Sequence, residues 1–262
     1  MLYFIIAHSA EAQPVIQHFK MQRVYKFSYT MFEADNVRLI ICNTGIDNAM
    51  MATSVLLAHY VPTNNDLLIN IGVCGALGEI GAMLLVHKIT HNHHSYFPDI
   101  LFKHDLQEIS LKTVDTPCVS RSDNAVDMEA YGIYKAASRF FKAHQMVFLK
   151  IISDNFQPES ITKEATKRLI SSKIAIIQNT INQALSIFNK DDILSSQGIE
   201  SIKNIAKKLT KAQNDALLDA CRYYKLHYKK PLPQIDIQPF IAKTTKQQRS
   251  AYLNELIQTL TR

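Results

Sequence analysis

Apolar positions in the first 155 residues alternate between two textures. Short, nearly unbroken apolar runs at 2–7, 37–43, 66–73, 83–89 and 146–152 predict buried strands, and 109–113 predicts a shorter one. Between them, apolar residues recur at helical spacing over 12–19, 47–59, 126–143 and 160–188. Pro14 falls in the first turn of the first helix, where a proline costs no hydrogen bond. Strands apolar on both faces need cover on both faces, so the pattern predicts an α/β fold with a central sheet flanked by helices.

After residue 189 the pattern changes. Polar stretches at 190–192 and 195–198 read as a linker, and helical spacing returns at 199–209, 212–228 and 246–260. Two units are therefore expected: a domain at 1–189 and a helical appendage at 190–262. Charge divides the chain in the same place. Residues 1–189 hold 16 Lys/Arg and 16 Asp/Glu, whereas 190–262 hold 13 and 7, the whole of the net +6. The stretch from Arg222 to Lys230 mixes Tyr223, Tyr224 and Tyr228 with bases. Such a mixture can stack on nucleic acid. The favoured reading is a helix with tyrosines toward the body and lysines in water, so nucleic acid is not the expected partner.

Cys42, Cys74, Cys118 and Cys221 are widely separated, without metal-ligand spacing. This predicts neither a disulfide framework nor a metal site, and favours a reducing, cytoplasmic compartment. The apolar N-terminus has no basic leader and reads as a first strand. No apolar run reaches membrane-spanning length.

Chemistry concentrates where strands stop. In open α/β sheets ligands bind beyond the carboxyl ends of the strands. Four ends carry polar or glycine-rich segments: Ser9-Ala10-Glu11, Asn43 to Asn48, Ile71 to Gly75, and Ser153-Asp154-Asn155. Glu129 opens a predicted helix nearby. Glu11, Glu129 and Asp154 can therefore enter one pocket. The histidine-rich stretch His91 to Asp99 holds adjacent His93 and His94, which point to opposite faces of a strand. It is read as loop or substrate contact, with Tyr96 as the candidate.

Glu11, Thr44-Gly45-Ile46, Asn70 to Gly75, Val126-Asp127-Met128-Glu129 and Ile152-Ser153-Asp154-Asn155, in this order, resemble the nucleoside phosphorylase/nucleosidase superfamily. The resemblance covers about residues 1–188 and is nearest the methylthioadenosine/S-adenosylhomocysteine nucleosidase branch. It implies a mixed twisted sheet, a purine-type nucleoside as substrate and a homodimer or higher oligomer; no organic cofactor is expected, because the reaction involves no redox or electron-sink chemistry. It also implies roles. Asp154 would protonate the leaving base and Ser153 would orient it. Glu129 would bind the ribose hydroxyls, with Met128 packing on the sugar. Glu11 would activate water, and Val73, Cys74 and Gly75 would line the nucleoside.

The resemblance departs in two places. Where phosphorylases carry an arginine-bearing loop after the first strand, this chain reads Ala7 to Gln13, with a carboxylate and no arginine. Hydrolysis is therefore expected, with phosphorolysis and non-catalytic nucleoside binding as alternatives; Arg38 and Arg121 read as surface residues. The run from Asp99 to Val126 is also shorter than in familiar nucleosidases, which leaves specificity for the base and at the sugar's 5′ end unread.

Overall fold

The computed structural model describes residues 1–25, 28–188, 209–230, 232–233 and 245–261. By internal contacts the chain divides into residues 1–188 and 189–262.

The first unit is a mixed sheet with helices on both faces. Strands β1 (Leu2–Ile6), β4 (Val37–Ile41), β5 (Leu67–Gly75) and β10 (Met146–Asp154) form its parallel centre. An antiparallel edge is added by β3 (Met31–Ala34) and β2 (Gln22–Val24). On the other side come β6 (Met83–His91), with β7 (His94–Tyr96) on its flank, then β8 (Gln107–Thr113) and β9 (Ala125–Asp127). A single bridge, Gly75 to Val126, returns β9 to β5. The path β5, β10, β6, β8, β9 thus closes on itself, and its closing point is also where β5 and β10 end.

Alternation along the strands explains the two cores. Tyr3 and Ile5 face one side and pack with α2 (Ile46–His59) and α3 (Ala130–Ala137). Leu2, Phe4 and Ile6 face the other and pack with α1 (Ser9–His18) and α4 (Lys163–Ser186). Helices α2 and α3 approach so closely that a Cβ on Gly132 would lie 2.2 Å from the Ile46 carbonyl oxygen. Only glycine fits there. The contact holds the start of α3 against the start of α2, which bears on the site.

The fold meets the expectation of a sheet-centred α/β domain, with local corrections. The helix expected from Val126 begins at Ala130 and ends at Ala137. Ala125 to Asp127 instead form β9, because pairing with β8 and β5 outweighs local helical preference. The long helix starts at Lys163, capped by Thr162, whose side chain accepts from the Ala165 N–H. Strands β2, β3, β7 and β9 have three or four residues each, too few to show a period.

In the second unit, α5 (Lys211–Tyr228) and α6 (Lys246–Thr261) share a small core of Leu217, Ala220, Cys221, Leu253 and Leu260. Thr210 caps α5 through a reciprocal pair with Gln213. Tyr224 packs against this core, whereas Tyr223 is exposed and stacked on His227 at 5.3 Å. The linker at 190–198 and nearly all of the helix expected at 199–209 lie outside the described residues. Among the described residues no helix is long and apolar enough to cross a membrane.

Gly132→Ala drives a methyl into backbone rather than into a movable side chain. It is expected to lower stability by about 1–3 kcal/mol, the usual cost of overpacking. Urea unfolding of the variant tests this, and an unchanged midpoint would show that the helices can separate freely.

Candidate active site

The closing point of the sheet gathers the chemistry. Gly75 pairs with Val126 on one side and Asp154 on the other. A bulge between Ile152 and Asp154 re-aims the end of β10. Ser153 occupies the bulge. Its hydroxyl contacts the Cys74 carbonyl oxygen at 3.1 Å and one Asp154 oxygen at 2.9 Å. The other Asp154 oxygen accepts the Gln157 N–H at 2.7 Å. The carboxyl is thus held at both ends, and each oxygen keeps capacity for a further hydrogen.

Glu11 arrives from the first turn of α1. Its oxygens accept the His8 N–H at 3.0 Å and the Val73 N–H at 2.9 Å. The first bond closes a capping box and the second ties the helix to β5. Carboxylates are favoured at a helix N-terminus, so the side chain is nearly buried at little cost.

Glu129 stands at the N-cap position of α3 and accepts the Gly45 N–H at 3.0 Å. Burial first, then the neighbouring Asp127 carboxylate, pushes its pKa up to about 7, against the pull of Lys150 and the Gly45 N–H.

Two further residues, Asp127 and Lys150, organise these groups. Asp127 is fully engaged. It accepts the Thr113 hydroxyl at 2.7 Å and the Ala130 N–H at 2.8 Å, and pairs with the Lys150 ammonium at 2.9 Å. Lys150 lies mid-strand on β10 and is completely buried. Burial opposes its charge, but Asp127, then Glu129 and Glu11, outweigh that and raise its pKa. A Cβ on Gly72 would lie 3.0 Å from a Glu11 oxygen and 3.4 Å from the Lys150 nitrogen. Both charged groups therefore reach the space that glycine leaves open.

A cavity of about 710 Å³ is lined by Glu11, Val73, Cys74, Gly75, Met128, Glu129, Ser153 and Asp154. Of the candidate residues, the structure places only Tyr96 elsewhere. It is stacked against Tyr134 at 4.5 Å and Tyr131 at 5.2 Å, filling a ring cluster outside the cavity lining. The segment after Asp99 does contribute, through Val114, Pro117 and Cys118. His8 lines the cavity too, hydrogen-bonded to Thr44 at 2.9 Å. Neither Arg38 nor Arg121 does. Among the described residues no group of three or more His, Cys, Asp or Glu could hold a metal ion.

The fold is similar to that of solved 5′-methylthioadenosine/S-adenosylhomocysteine nucleosidases and of a futalosine hydrolase. The 5′-methylthioadenosine/S-adenosylhomocysteine nucleosidase of S. pneumoniae, bound to a transition-state inhibitor, superposes with a TM-score of 0.58 at 17% identity, covering 70% of this chain and 98% of that one. The 5′-methylthioadenosine nucleosidase of Arabidopsis thaliana gives 0.54 at 18% identity, covering 72% and 96%. Futalosine hydrolase of Helicobacter pylori gives 0.57 at 13% identity, covering 69% and 97%. No family model and no curated protein matches the sequence.

Removing one partner of a buried ion pair leaves the other uncompensated. Lys150→Met is expected to cost about 3–5 kcal/mol, and adding Asp127→Asn should recover part of that loss. Chemical denaturation of the single and double variants decides. A Lys150→Met protein as stable as the parent would show that the pair carries no such burden.

Proposed function

We propose that the protein hydrolyses the N-glycosidic bond of a purine-type nucleoside. The observation that carries this reading is the convergence of Glu11, Glu129 and Asp154, from three separate elements, on one cavity. Cleavage of an N-glycoside builds positive charge on the sugar and negative charge on the departing base. The site offers carboxylates for the first and a carboxyl acid for the second.

Asp154 protonates the base as it leaves, oriented by Ser153 and the Gln157 N–H. Glu129, ionised, accepts hydrogen bonds from the ribose hydroxyls, and Met128 packs on the sugar. Glu11 takes a proton from the attacking water. Val73, Cys74 and Gly75 form the wall against which the nucleoside lies. Water is favoured over phosphate as nucleophile because the lining holds four carboxylates and no arginine.

The proposal extends to a homodimer in a reducing compartment. Met51 and Val55 are exposed on α2, and all four cysteines are free, which supports both. Sedimentation at micromolar concentration should give the dimer mass; a monomer alone removes that part.

A nucleoside panel assayed with and without phosphate tests the reaction. Free base released without phosphate is the expected product, and strictly phosphate-dependent release would replace hydrolysis by phosphorolysis. Asp154→Asn should reduce release by roughly 10²–10⁴-fold, the range for losing a general acid. Full activity in that folded variant would remove Asp154 from the mechanism.

The pH profile follows from Glu129. Its pKa of about 7 in the free protein means that the group is protonated below that pH and ionised above it. kcat/KM is therefore expected to fall as pH drops through about 7, and Glu129→Gln should lower activity and abolish that limb. A limb at the same pH in Glu129→Gln would assign it to another group.

A further inference from the structure

The cavity lining carries two cation-capable side chains that the proposed reaction does not use. Lys163 opens α4 and lines the cavity beside Ile161, Thr162 and Thr166. Its side chain is exposed, and none of the ion pairs among the described residues includes it. His8 is bonded through its ring to the neutral Thr44 hydroxyl. Every other titratable residue of the lining is a carboxylate or a thiol: Glu11, Asp127, Glu129, Asp154, Cys74 and Cys118. Lys150 does not belong to the lining and is held by Asp127.

Lysine is also an unexpected choice at this position. The first turn of a helix is the positive end of its dipole, where a carboxylate is favoured and a cation is not. A residue that breaks a local rule at a cavity wall calls for a compensating partner. No described residue supplies one, and an anionic ligand would.

Resting on the proposed nucleoside site, we infer that Lys163 determines specificity by pairing with an anionic group, carboxylate or phosphate, on the 5′ arm of the nucleoside, with His8 as a second donor. The position follows by elimination. The base faces Asp154, the ring hydroxyls face Glu129 and the anomeric carbon faces Glu11. C5′ is the remaining arm. The carboxylates around the sugar repel an anion placed among them, so Lys163 and His8 are the lining groups left to receive one.

Calorimetric binding to the full chain tests this with adenosine, adenosine-5′-carboxylate, adenosine 5′-monophosphate and inorganic phosphate alone. One of the two charged nucleosides is expected to bind roughly two- to fivefold tighter than adenosine, as for a solvent-accessible ion pair. Which of them tightens names the anion. The preference should shrink at about 0.5 M salt, fall to near unity in Lys163→Met and reverse in Lys163→Glu. His8→Gln should weaken it without abolishing it.

Equal affinity for charged and neutral nucleosides in the parent protein would overturn the inference. So would Lys163-dependent binding of free phosphate, which would make Lys163 a site for a co-substrate. Turnover read alongside separates the two proposals. A Lys163-dependent preference without cleavage of any nucleoside keeps this inference and removes hydrolysis. Cleavage without a charge preference does the reverse.

Discussion

The ion pair between Asp127 and Lys150 is the interaction on which the site depends. Asp127 ends β9, caps α3 through the Ala130 N–H, and is fixed by the Thr113 hydroxyl on β8. Lys150 brings β10 into the same arrangement. One buried carboxylate thereby sets the direction in which α3 leaves the sheet, and so where Glu129 points. A buried ion pair is weak as a source of stability, because desolvation offsets most of the attraction. Its value here is positional. It also supplies the cation that lets Glu11 and Glu129 lie close together without mutual exclusion.

That arrangement separates what was legible in the sequence from what was not. Glu11, Glu129 and Asp154 could be read because each stands where an apolar run or a helical pattern begins or ends. Lys150 could not be read the same way, since it interrupts the run from Met146 to Asp154 without breaking it. Its signal was nonetheless present: a lysine in a strand covered on both faces has to find an anion. Asp127 was quoted only as part of a motif. Its role depends on a three-residue strand that has meaning only through its pairing partners. Tyr96 stands outside the cavity lining for a related reason. Its position along the chain suggested substrate contact, whereas three aromatic side chains on β7 and α3 gain more by stacking together. The sheet itself followed from hydrophobic patterning. Its closure at Gly75 did not, because one bridge leaves no periodic trace.

The structural relatives place fold and chemistry at different levels of support. At 13–18% identity they establish the path of the chain. The functional reading rests instead on hydrogen bonds in this molecule: two on Glu11, two on Asp154 and one on Glu129. Each is a short-range bond to a named backbone or hydroxyl donor. Such constraints orient a carboxyl before substrate arrives, so that little reorganisation is left for the reaction.

In the proposed reaction, the charge balance of the site bears on rate rather than on binding alone. Around Lys150, with Glu129 ionised, Glu11, Asp127 and Glu129 give three negative charges against one positive. A neutral nucleoside does little to relieve this excess in the ground state. A sugar with oxocarbenium character brings the missing positive charge into the middle of the group. The attraction is therefore larger in the transition state than in the bound substrate, which is the condition for an interaction to raise kcat. The raised pKa of Glu129 comes first from burial and then from the Asp127 carboxylate, both of which oppose its ionisation. As positive charge develops on the sugar, it should favour the ionised form.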